Sequence, residues 1–162
     1  MTVSAGVEML VRKPVQEIYE SLVDPAITTR FWFTGSSGRL EPGARVRWEW
    51  EMYGASTQAT VLALEADRRI LIDWSDYDQT NRVEWRFTAP TQDTTFVSIT
   101  NTGFGSDERT VVAQALDSTE GFTLVLAGLK ALLEHHLMLN LVADRHLATN
   151  ANSCYSRAGS IE

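Results

Sequence analysis

The sequence predicts an α+β fold in which a curved antiparallel β-sheet wraps around a long C-terminal helix, with two short helices after the first strand. Three observations predict it. Residues 44–102 carry a succession of alternating, strand-like segments separated by short turns. After residue 107 the period becomes helical, and Phe122, Val125, Leu126, Leu129, Leu132, Leu133 and Leu137 form an amphipathic stripe. An apolar sheet face and an apolar helix stripe in one chain are buried against each other.

The elements follow in order. Residues 6–13 (GVEMLVRK) alternate loosely and read as the first strand. Pro14 suits the first turn of a helix, and Val15, Ile18, Tyr19 and Leu22 continue it at helical spacing until Asp24-Pro25 breaks it. The stretch AITTRFWF is a second short helix or turn, and TGSSG with EPG behind it is a loop. Strands are expected near residues 44–52, 56–66, 69–74, 81–89 and 94–102. Turn chemistry separates them at Tyr53-Gly54, Asp67-Arg68, 76–80 and 90–93, and connections this short imply an antiparallel meander. DERTVVAQAL reads as a short helix or the start of a longer one. DSTEG interrupts or kinks it, because Asp117 and Glu120 have capping-box spacing and Gly121 is a poor helix former. The long helix then runs from Phe122 to about Asn140. Residues 1–147 are read as one domain and 148–162 as a flexible C-terminal tail.

Strand phase assigns faces. In ARVRWEWEMYG, Val46, Trp48, Trp50 and Met52 share one face, and Arg45, Arg47, Glu49 and Glu51 the other. The tryptophan face points at the long helix. Ile72 is in phase with Trp74, and Val83 and Phe87 are in phase with Trp85. Asn101 shares the inward phase of Val97 and Ile99, whereas Asp73, Arg82, Glu84 and Arg86 face out toward cross-strand partners. Two readings of the aromatic face stand side by side: a pocket wall for a flat or greasy ligand, and an ordinary packed core.

Charge and composition exclude several classes. The 162 residues carry 14 basic and 21 acidic side chains, a net charge of −7 that argues against nucleic acid. Cys154 is the sole cysteine, so no intramolecular disulfide forms. MTVSAGVEML lacks the pattern of a signal peptide, and no window holds 18 apolar residues, so neither a leader nor a membrane span is expected. A cytoplasmic location is the expectation. No inward carboxylate pair of the kind acid–base chemistry uses is visible. His136 nearly continues the apolar stripe and is a candidate proton donor at the cavity end. His135 and His136 diverge by about 100° on a helix and make no metal pair. TGSSG and NTGFGS read as turns, Cys154 lacks a base nearby in sequence, and Ser36, Ser37, Ser118 and Ser153 sit in no nucleophile elbow. No catalytic residue, metal or cofactor is therefore expected.

The order of these elements resembles the START-like (SRPBCC, birch-pollen-allergen-like) helix-grip superfamily. More closely, it is similar to the small bacterial single-domain form of the activator of Hsp-ninety ATPase homologue-like family. The resemblance covers roughly residues 5–147 and rests on VRKPVQEIYESLVDP, FWFTG, LEPGARVRWEW, STEGFTLVLAGLKALLEH and NLVADRH in that order. It implies a seven-stranded sheet around the helix, often with a hydrophobic cavity between them. The function expected is binding of a small hydrophobic molecule there. Trp48, Trp50, Ile72, Trp74, Trp85, Phe87 and Asn101 form the sheet wall, and Phe122, Leu126, Leu129 and Leu133 the helix wall. Phe31, Trp32 and Phe33 guard the entrance. The alternatives are a polyketide cyclase or aromatase-like enzyme, and a co-chaperone-type module with a chaperone or other protein as partner. A homodimer is a further expectation.

Overall fold

A computed structural model describes residues 2–76 and 79–147. The expected tail at 148–162, with Cys154, lies outside the described residues. The first strand, β1 (Ala5–Val11), leads through Pro14 into α1 (Val15–Val23). Asp24 ends α1 and starts α2 (Pro25–Thr28), its carboxylate accepting the Ala26 amide while Pro25 occupies the first turn. The loop expected at TGSSG contains a two-residue strand, β2 (Gly35–Ser36), which pairs with Glu49 and Trp48. Then follow β3 (Arg45–Trp50), β4 (Ala55–Glu65), β5 (Arg69–Asp76), β6 (Gln79–Thr91) and β7 (Thr94–Thr102). The helices α3 (Glu108–His135) and α4 (Leu141–Asp144) close the described chain.

The strands form a seven-stranded antiparallel sheet in the order β1-β7-β6-β5-β4-β3-β2. The five strands β3–β7 are a meander, and β1 adds beside β7 at one edge. Irregularities at Val61/Ala63 and Thr88/Thr91 break the register and help to curve the sheet. Its concave face is apolar. Val46, Ala59, Val61, Ile70, Ile72, Val83, Trp85, Val97 and Ile99 are all buried there under α3 and the 31–33 segment. The outer face is charged as strand phase requires. Arg82 pairs with Asp73 at 2.8 Å directly across β5 and β6, and Glu84 receives Arg69 and Arg86, both at 2.6 Å.

Three expectations are corrected. First, β3 stops at Trp50, and Glu51–Tyr53 forms a single 3-10 turn closed by Gly54 at φ 57°. Met52 is thus off the strand, while Tyr53 turns in. Second, DSTEG does not interrupt a helix: α3 is continuous for 28 residues, roughly 42 Å. Asp117 and Glu120 do not cap a new start but bind Arg145, at 2.6 and 3.2 Å. That guanidinium also donates to the Asp117 carbonyl. Third, α3 ends at His135 rather than near Asn140. His136 adopts the left-handed conformation (φ 56°) that caps the helix, so it and Leu137 leave the apolar stripe for solvent. His136 is not a proton donor in the interior.

Candidate functional site

The candidate site lies where α3 crosses the concave face. Trp48, Trp74 and Trp85 project from three strands because each occupies the inward phase. Phe122 descends from α3 onto two of them, with ring centroids 5.8 Å from Trp74 and 6.0 Å from Trp85. Trp32 fills the space between. Its ring lies 5.0 Å from Trp48, 6.0 Å from Trp74, 5.8 Å from Trp85 and 5.8 Å from Phe122. Phe33 stacks on Trp48 at 4.8 Å and 17°, and meets Trp50 edge-on. These are the offset and edge-to-face separations that aromatic pairs prefer.

The 31–33 segment therefore lies inside the grip, not at its entrance. Gly128 explains how it fits. A β-carbon there would stand 3.3 Å from the Phe31 carbonyl oxygen, so a side chain at this position would press α3 and this backbone apart by a few tenths of an ångström.

Of the other expected wall residues, Ile72, Leu126 and Leu129 are fully buried in the same core. Phe87 is buried but lies under α1, edge-on to Tyr19 at 6.0 Å. Leu133 is half-buried, eleven residues and roughly 16 Å along α3 from Phe122. These two are not brought to the aromatic cluster.

Asn101 faces inward and is fully buried, and α3 supplies its partner. Its side-chain amide donates to Ser118 Oγ at 2.9 Å. Ser118 sits one turn before Phe122. A neighbouring polar set ties the first half of α3 to the sheet. Gln79 donates to Gln114 Oε1 at 3.2 Å, and the Gly105 amide donates to the same oxygen at 2.9 Å. Asn81 is buried beside them, opposite Trp74 in the register. Sequence reasoning missed Asn81, Gln114 and Ser118. Asn81 shares the phase of Val83 and Trp85, and this was the available signal. Gln114 and Ser118 became visible only once α3 was continuous through them.

Among the described residues, the indole nitrogens of Trp74 and Trp85 and the Asn101 side-chain oxygen are buried without a hydrogen-bond partner. Buried N–H and C=O groups are normally satisfied, so each is exceptional. Among the described residues, the buried polar side chains around the cluster are hydroxyls and amides. The buried carboxylate, Glu134, lies at the other end of α3, held by Lys130 at 2.5 Å. Burial alone would raise its pKa, but the Lys130 hydrogen bond and charge, with Arg12, hold it below the usual carboxylate range. Among the described residues no three His, Cys, Asp or Glu side chains are grouped to hold a metal ion. No described helix is long and apolar enough to cross a membrane.

At the lower end of the grip α4 is latched down. The Tyr53 hydroxyl binds the Val142 and Ala143 carbonyls, and accepts the His146 amide at 3.3 Å. The Arg145 guanidinium is raised in pKa: burial would lower it, but Glu120 and Asp117 outweigh that.

A sheet closed around one long helix, with an aromatic cluster between them, defines a helix-grip protein. The family description "Activator of Hsp90 ATPase homolog 1-like protein" matches residues 12–134, and the chain belongs to that family. No curated protein matches. Among solved structures, the chain is similar to protein SSP2350 from Staphylococcus saprophyticus. The two share 27% identity and a TM-score of 0.73, over 85% of this chain and 96% of that one. DynU16, from the dynemicin biosynthetic locus, gives 20% identity and a TM-score of 0.69, over 83% of this chain and 48% of that one. The Aha1 dimer from Colwellia psychrerythraea gives 14% and 0.69, over 82% and 97%.

Proposed function

We propose that the protein binds a small hydrophobic molecule between the sheet and α3, acting in the cytoplasm. The observation that carries the reading is the pair of indole N–H groups, Trp74 and Trp85, buried in an aromatic cluster with no protein acceptor. An ordinary core leaves such donors satisfied or turned to solvent. Trp48, Trp50, Ile72 and Asn101 complete the sheet side, and Phe122, Leu126 and Leu129 the helix side. Trp32 is the side chain that makes room. Binding is favoured over cyclase-type proton transfer because, among the described residues, the buried polar groups near the cluster are amides and a hydroxyl, and the Glu134 carboxylate lies at the far end of α3.

Native mass spectrometry of the freshly purified protein tests this. A stoichiometric adduct that leaves on denaturation is the expected result. A bare mass, together with no binding of added naphthalene, would count against it.

A second reading concerns a protein partner. Leu137, Met138 and Leu139 are consecutive and exposed, at 54%, 52% and 46%. The occupant proposed is a second copy of the chain, in keeping with the dimer described for the Colwellia protein. Sedimentation equilibrium of the wild type against Leu137→Glu/Leu139→Glu tests it, and a monomer in both removes it. A chaperone partner rests on the family description alone.

A further inference from the structure

We infer that the interior selects ligands by a neutral oxygen group, a hydroxyl or carbonyl on an otherwise apolar ring system, and rejects the carboxylate of the same skeleton. The inference rests on the ligand-binding reading above and adds the chemistry of recognition to it.

The unmet groups are complementary to one kind of oxygen. Trp74 and Trp85 offer N–H donors, and Asn101 offers a carbonyl acceptor. The three residues are 7%, 2% and 0% exposed. They belong to one neighbourhood. Asn101 pairs across the sheet with Val83, two residues from Trp85, which puts Asn101 and Trp85 diagonally adjacent on the concave face. The Asn101–Ser118 hydrogen bond lies one helical turn from Phe122, whose ring touches both indoles. Ser118 accepts from Asn101, so its own proton remains available to donate. An oxygen bearing a proton satisfies both kinds of group: it accepts from an indole N–H and donates to the Asn101 oxygen. A carbonyl satisfies the donors alone.

Charge decides the rest. Among the described residues, the buried polar residues are Ser21, Thr28, Asn81, Thr95, Asn101, Gln114 and Ser118, and none carries a positive charge. A carboxylate brought here would lose its hydration without gaining a counter-ion, a cost that two neutral donors do not offset. The aromatic walls favour a flat ring system against Phe122 and the indoles.

Naphthalene, 2-naphthol and 2-naphthoate share one skeleton and differ only in this group. Titration at pH 7, followed by indole fluorescence and calorimetry, is expected to rank 2-naphthol about five- to tenfold above naphthalene, the gain of about one net hydrogen bond. Naphthoate is expected to bind less tightly than naphthalene. In Asn101→Leu/Ser118→Ala, which removes both partners of the internal bond together, the ratio of naphthol to naphthalene affinity should fall toward one. Should that variant fail to fold, the wild-type indole N–H resonances serve instead. Naphthol should move the Trp74 and Trp85 signals downfield and naphthalene should not.

Equal affinities for naphthol and naphthalene, without indole shifts, would assign the unmet groups to internal water and overturn the inference. The ligand-binding reading would survive that result. Tightest binding by naphthoate would overturn the neutral requirement. Failure of all three probes would remove the ligand-binding reading, and the inference with it.

Discussion

Trp32 touches five other aromatic rings, its neighbour Phe33 and four from three strands and α3, although it belongs to no strand or helix itself. Its burial couples the connection after α2 to the whole core. Its position also sets the terms on which a ligand enters, because the ring occupies the space between Phe122 and the sheet tryptophans. Trp32→Ala is expected to lower stability by about 3–5 kcal/mol, the usual cost of emptying a large aromatic site. It should also raise affinity for naphthalene, since an apolar cavity of this kind stays dry and accepts apolar guests. Guanidinium unfolding and the same titration measure both. Lower stability without tighter binding would mean that the core collapses into the vacated space.

At the scale of elements, α3 governs both what the sequence revealed and what it hid. Its apolar stripe was legible from Phe122 onward because the buried positions there are aliphatic or aromatic. The first half buries Gln114 and Ser118 on the same face. Polar residues on a buried stripe make the helix look broken, and here they conceal the residues that bind Asn101 and Gln79. The strands were easier, since period-two alternation runs through the meander outside the irregularities at Val61/Ala63 and Thr88/Thr91 and sends the charges outward. The 31–33 segment was harder: it has aromatic composition but no period, so composition marked it as important without placing it. Gly128 records the placement. Gly128→Val should destabilise by about 1–3 kcal/mol, because a β-carbon presses on the Phe31 backbone oxygen and further methyl groups increase the overlap. The indole emission should shift red as the segment loosens. Gly121→Ala is the control. Its β-carbon would stand 3.1 Å from the Arg145 guanidinium, a side chain that can shift within its pairs with Asp117 and Glu120 where the Phe31 backbone cannot, and alanine is the better helix former. If both variants behave alike, the close approach of α3 to the 31–33 segment is not what Gly128 provides.

For the molecule as a whole, the grip needs α3 fastened at both ends, and the fastenings differ in chemistry. The front half is held by neutral amides and a hydroxyl, through Gln79–Gln114 and Asn101–Ser118. The back is held by charge: Lys130 donates to the Leu10 carbonyl of β1 and pairs with Glu134, which Arg12 also approaches at 3.9 Å. Only the second kind responds to acid. Glu134 has a folded-state pKa below its ordinary value, so the folded state binds its proton less readily than the unfolded chain does. Its contribution is therefore complete above the unfolded value of about 4.3 and disappears as pH falls through the lower folded one. Glu84, lowered by Arg86 and Arg69 against its burial, adds in the same direction on the sheet's outer face. Thermal unfolding should thus occur at a nearly constant temperature above about pH 5 and at falling temperature below it. Glu134→Gln should lower the plateau, because Lys130 loses its counter-charge, and should flatten the acid limb, because one depressed carboxyl is gone. An unchanged acid limb in that variant would place the acid sensitivity elsewhere, on the surface pairs. The aromatic cluster would then loosen in acid without α3 having parted first from β1, and indole emission followed along the same pH series separates those two orders of events.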